Sequence, residues 1–202
     1  LQLTIQLYDY ANDKQEEYTM DIDLYGHLAP KTVDAIVSYV NGNYYNDTVF
    51  YKTSSYDSQI MIGDYKFDDE LLVKNAEKPT LAGEFTYGGQ KTEGGSPLSA
   101  KKGTIGLWRS WYAQDDSYTG RNATNSGSAT WFIPTQDISS YNDYFCIFAQ
   151  YDLDKADNQQ VIDALTSIFA NEENYATYVV YYTGEYDSLQ YHCVAKEDFD
   201  AD

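Results

Sequence analysis

Cysteine, histidine and basic residues are all scarce in this chain of 202 residues, and each scarcity removes a class of function. The two cysteines, Cys146 and Cys193, sit in apolar, strand-like surroundings, and a domain of this size needs no disulfide. Both are expected to be buried free thiols. The two histidines, His27 and His192, are far apart, and neither belongs to a cluster with metal-ligand spacing. His192 adjoins Cys193, but neighbours on a strand point to opposite faces, so the pair reads as neither a metal site nor an activated thiol. No metal or cofactor is expected.

Lys and Arg number 13 against 32 Asp and Glu, giving a formal net charge of −19. Such a field repels nucleic acid and anionic membranes, so neither is an expected partner. The carboxylates are scattered rather than blocked, as on a solvated surface. No window of about 18 apolar residues occurs, so no helical membrane span is expected within the chain. A Walker loop, G-x-G-x-x-G, H-E-x-x-H and G-x-S-x-G are all missing, which withdraws the main support for nucleotide, zinc-protease and α/β-hydrolase readings. DLDKADN, from Asp152 to Asn158, lacks the central Gly and final Glu of a calcium loop and reads instead as the capping region of a helix. The sequons at Asn46 and Asn122 are short enough to arise by chance. The chain opens at Leu1, already in strand-like sequence; a removed leader or lipid anchor is the expectation, placing the protein outside the cell or in its envelope.

What the chain does have is 22 Tyr, 8 Phe and 43% hydrophobic residues, enough for one folded domain with a well-filled core. LTIQLYDY (Leu3 to Tyr10) and YTMDIDLY (Tyr18 to Tyr25) alternate apolar and polar residues and read as a hairpin. Pro30 opens a helix with Val33, Ile36, Val37 and Val40 as its apolar stripe, and Gly42 ends it. VFYKT and SQIMIGD follow as strands. The polar, Gly-rich segment from Phe67 to Lys102 reads as a surface excursion. KGTIGLW, SATWFIP and YFCIFAQY are further strands. A second helix carries Val161, Ile162, Leu165, Ile168 and Phe169 on one face, with Asp157 or Asn158 as its N-cap. TYVVYY and LQYHCVAK, around TGEYDS, end the chain as two strands, the last expected to close the sheet against the N-terminal hairpin. Seven or eight strands with helices set aside from them point to an α+β domain or a barrel capped by helices.

Several strings, in order, resemble the cyclophilin-type peptidyl-prolyl isomerases, and their divergent bacterial branch in particular. DIDLYGHLAPKTVDAIVSYVNGNYYNDTVFYK is similar to the family's strand, A-P-x-T-V helix and F-H-R segment. IGD (Ile62 to Asp64) resembles Q-G-G-D, and GEF (Gly83 to Phe85) a loop motif. KGTIGLWR resembles R-G-x-x-S-M-A-R/N, NSGSATWFI resembles N-S-A-G-S-Q-F-F-I, and VIDAL resembles V-V-D-A-I. The resemblance implies a mainly β (α+β) fold, a closed eight-stranded antiparallel barrel capped by two helices. A single domain over residues 1–202 is expected, with the barrel and helices in 1–170 and strands in 171–202 closing the sheet.

It also implies rotation about X–Pro bonds in exported proteins, without a cofactor, on a proline-containing peptide or protein. The family's Arg falls on Lys52, which keeps the charge but loses the planar fork. Its Gln before two aromatics falls on Thr130, followed by Trp131 and the pocket position Phe132. Its Q-G-G-D glutamine falls on Met61; Gln59, two residues earlier and therefore on the same strand face, is a candidate to replace that amide. Phe50, Trp108, Tyr141 and Phe145 complete the implied peptide-binding surface, and Arg109 is a candidate second catalytic cation. Tyr44, Tyr45, Tyr51, Tyr56, Tyr141 and Tyr144 are expected near the rim of the groove. With so many site positions substituted, activity is expected to be weak. The alternative is a catalytically inactive cyclophilin-like module that binds peptides.

Overall fold

Near-continuous apolar runs such as QIMI, WFIP and CIFA are what a sheet buried on both faces requires, and they form its centre. The computed structural model describes residues 1–9, 14–53, 58–68, 71–85, 98–109, 125–142, 144–170, 176–182 and 185–191. Among them are eleven strands and two α-helices, and all strand pairs are antiparallel.

β1 (Gln2–Asp9) and β2 (Lys14–Asp21) form the expected N-terminal hairpin, with Leu3 opposite Met20. β3 (Asp23–Leu24) then joins β9 (Cys146–Gln150). The other strands are β4 (Thr48–Thr53), β5 (Gln59–Asp68), β6 (Leu71–Lys74), β7 (Thr104–Leu107), β8 (Trp131–Pro134), β10 (Ala176–Tyr182) and β11 (Glu185–Tyr191). Together with β3 and β9 they make a nine-stranded sheet ordered β10-β11-β4-β5-β8-β7-β9-β3, with β6 paired to β5. The C-terminal hairpin thus joins the sheet along β4, Gln190 opposite Lys52, and not along the N-terminal hairpin.

Three local expectations change. Within α1 (Pro30–Asn41), Thr32, Val33 and Ile36 are buried, but Val37 is 37% exposed. At about 100° per residue, a face centred on Thr32, Val33 and Ile36 leaves Val37 on its rim. The excursion after Phe67 begins as a hairpin, β5–β6, with Phe67 opposite Leu72. α2 (Ala156–Ala170) starts early enough to place Asp157 and Asn158 inside its first turn. Buried Asn158 is therefore a cross-link and not the cap: it accepts the Asp21 N–H at 2.9 Å and donates to the Asp152 carbonyl at 3.0 Å.

Strand alternation sorts the core into two sets. Phe50, Ile60, Ile62, Ile105, Leu107, Trp131, Ile133, Cys146 and Phe148 face the helices, against Val33, Ile36, Val161, Ile162 and Leu165. Their neighbours Val49, Tyr51, Met61, Phe132 and Ile147 face the other way, into a second cluster with Ala100, Tyr141 and Phe145. Cys146 is a buried free thiol, as expected, and burial pushes it up to about 12. His27 is exposed, while His192 and Cys193 lie outside the described residues. Among the described residues no helix is long and apolar enough to cross a membrane.

Candidate active site

The second cluster is assembled by adjacent strands whose alternate residues share one face. Met61 on β5 stands opposite Tyr51 on β4 and Phe132 on β8, and Phe132 stands opposite Gly106 on β7. A 3-10 turn, Ser139–Tyr141, then brings Tyr141 and Phe145 onto that face. Phe145 stacks on Tyr141 (ring centroids 4.5 Å, 27°) and on half-buried Trp108 (5.3 Å, 22°). Phe132 meets Tyr141 and Phe145 edge-on, each at 5.4 Å, the edge-to-face geometry that the ring quadrupoles favour.

Five of the implied binding residues, Met61, Trp108, Phe132, Tyr141 and Phe145, thus come together as one apolar wall, in which Trp108 is half-buried and the other four are buried. Phe50 does not join them. It lies on the opposite face of β4 in the helix-covered core, because adjacent strand positions alternate.

The polar candidates are directed inward. Thr130 donates its hydroxyl to one oxygen of Asp64, and Tyr51 donates to the other. Gln59 shares a face with Met61, as the strand period predicts, and is 1% exposed. Its amide nitrogen lies 3.1 Å from the Met61 sulfur, while its amide oxygen is buried without a hydrogen-bond partner among the described residues. Arg109 is only 4% exposed, although an open groove would have let it reach a peptide. Its Nε donates to the Tyr144 carbonyl at 2.6 Å, and its guanidinium lies 4.4 Å from the Phe85 ring centre and 5.3 Å from that of Phe145. Burial draws its pKa below the ordinary arginine value. Lys52 occupies β4 next to Tyr51; its backbone is described and its side chain is not.

The tyrosines divide between two places. Tyr51, Tyr141 and Tyr144 belong to the second cluster or pack against it. Tyr44 and Tyr45 instead continue a chain of rings, 5.0 Å from each other and with Tyr45 4.6 Å from Trp131, toward the helix-covered core. Tyr56 lies outside the described residues. Asp64 and Gly106 are site residues to which sequence reasoning assigned no role. The signal for Asp64 was its place in IGD, and Gly106 offered none beyond its lack of a side chain.

The family model described as cyclophilin type peptidyl-prolyl cis-trans isomerase/CLD matches residues 11–181. The chain belongs to this family. Its fold, mostly β with two helices and antiparallel sheets, is the cyclophilin fold. Among solved structures, the cyclophilin AquaCyp293 from Hirschia baltica is similar at 11% identity with a TM-score of 0.49, covering 96% of this chain and 75% of that one. A Cryptosporidium parvum cyclophilin type peptidyl-prolyl cis-trans isomerase is similar at 13% identity (TM-score 0.47), covering 96% of this chain and 99% of its own. The same Cryptosporidium parvum protein in the presence of the dipeptide Ala-Pro gives a TM-score of 0.44 at 13% identity, over 94% of this chain and 95% of that one. No curated protein matches the chain. Against the cyclophilin pattern, this member has Thr130 bonded to Asp64 where the family has a glutamine, and Arg109 buried between rings.

Proposed function

We propose that the chain is a cyclophilin-type isomerase of low turnover that acts on X–Pro bonds in exported proteins, with Lys52 as donor to the twisted amide. The observation that best supports this reading is the gathering of Met61, Trp108, Phe132, Tyr141 and Phe145 into one apolar wall beside β4. Rotation about an X–Pro bond meets a barrier of about 18–20 kcal/mol set by amide resonance. A wall that holds the pyrrolidine ring while a donor bonds the rotated amide lowers that barrier, because the interaction strengthens only as the amide twists. Low turnover follows from the donors: Thr130, Gln59 and Arg109 are directed at the protein's own acceptors, and a lysine offers a mobile point charge in place of a fork.

The test is isomerisation of a short Ala-Pro peptide by the wild type, Lys52→Arg and Lys52→Ala. The expected order is Arg fastest, wild type slow but above the uncatalysed rate, and Ala at that rate. A wild type at the uncatalysed rate that Lys52→Arg does not rescue rejects the enzyme.

A second reading, a peptide-binding module without catalysis, is favoured by the inward direction of the same donors. It predicts calorimetric binding of the peptide with no acceleration.

A further inference from the structure

α1 lacks a cap of its own. It begins at Pro30, whose nitrogen has no hydrogen, and Ala29 before it has no side-chain acceptor. The missing acceptor comes from 52 residues away: Glu84 accepts the Thr32 N–H on Oε2 at 2.8 Å and the Lys31 N–H on Oε1 at 3.0 Å. Its carboxylate is fully buried at a helix N-terminus, where the exposed N–H groups favour an anion. Removing that charge from its two donors would leave it unsolvated, so the backbone at residue 84 is held fast.

The next residue makes use of that anchor. Phe85 presents its ring to the Arg109 guanidinium at 4.4 Å, and Phe145 packs against the same guanidinium at 5.3 Å. Arg109 Nε holds the Tyr144 carbonyl, while the N–H groups of Tyr144 and Phe145 both bond the Tyr141 carbonyl. Fixing the Tyr144 carbonyl therefore fixes the turn that carries Tyr141 and Phe145, and with it the face stacked on Trp108. The segment is tethered on its other side too, by Leu81 N–H to the Gly127 carbonyl at 2.8 Å and Gly83 N–H to Asn125 Oδ1 at 2.9 Å. A Ser or Asp at residue 29 would cap the helix locally; capping it from residue 84 also locks the loop that supports the wall.

We propose that Glu84 is a positioning residue for the apolar wall, acting through Phe85 and Arg109. Its effect on substrate rests on the function proposed above, whereas its effect on the wall does not.

The test compares Glu84→Ala, Phe85→Leu and Ile36→Ala. The last truncates a buried α1 side chain away from this relay and serves as a measure of simple destabilisation. Two quantities are read: the indole N–H resonance of Trp108, and KM with kcat for an Ala-Pro peptide, or Kd if there is no turnover. Glu84→Ala and Phe85→Leu should shift the resonance and raise KM or Kd roughly ten-fold with kcat little changed, as lost positioning of bound substrate predicts. Ile36→Ala should lower the melting temperature and leave both quantities in place. An unmoved resonance in Phe85→Leu, or an equal movement in Ile36→Ala, overturns the proposal. Phe85→Leu keeps the cap, so it decides the matter if Glu84→Ala does not fold. A wild type that neither binds nor turns over the peptide sinks the proposed function, and the resonance alone then decides the positioning role.

Discussion

Gly106 lies directly beneath the ring of Phe132: a Cβ at residue 106 would stand 2.2 Å from the ring's Cζ and 3.0 Å from Ile147 Cδ1. Phe132 is fully buried among other rings, so it has nowhere to retreat. Gly106→Ala is therefore expected to destabilise the fold by about 1–3 kcal/mol, the usual cost of overpacking, and to weaken peptide binding at the same time. A urea midpoint equal to that of the wild type would contradict the crowding argument.

Asp64 accepts hydrogen bonds from the hydroxyls of both Tyr51 and Thr130, tying β4 and β5 to the residue that leads into β8. Asp64→Asn removes the charge and turns an NH₂ toward one of two donors. Since a hydrogen bond to a charged group contributes about 1.5–3 kcal/mol, the expected loss in chemical denaturation lies in that range. Thr130→Val in the Asp64→Asn background should cost less than in the wild type, because the bond it removes is already impaired. Strictly additive losses would show that the two residues are not coupled.

Stability should fall in alkali. Burial raises the Cys146 thiol from 9.0 to about 12 and the Tyr44 and Tyr151 phenols from 10.0 to about 12, and it raises Tyr45 further. Below about pH 8 these groups are essentially neutral in both states and contribute almost no pH dependence. Between their ordinary values and about 12 the unfolded chain ionises first, so the folded state binds more protons and its stability declines as pH rises. Denaturation midpoints measured from about pH 7 upward should be flat to about 8 and then drop with increasing slope. Cys146→Ala should delay the start of that drop, and an unchanged onset would exclude the thiol as its source.

The amino-acid sequence by itself determined that the chain builds a mainly β fold with two helices, and the order of its strings was sufficient to indicate the family. Pro30 and Gly42 marked α1 because proline and glycine act locally, through a missing N–H and a missing Cβ. QIMI, WFIP and CIFA were legible as strands, yet with both faces buried their alternation carried no polar mark of which side was which. Only the tertiary structure decided that Phe50 faces the helices while Met61 and Phe132 face the wall. It also decided the fate of the charges. Arg109 reads in sequence as a candidate catalytic cation beside the groove, and it becomes a buried support because Phe85 and Phe145 close on it from distant parts of the chain. Glu84 reads as one acid among many, and it becomes the cap of a helix 52 residues away because that helix has no acceptor of its own. Local propensity sets where elements begin and end, whereas which polar group loses its water is settled when the elements pack.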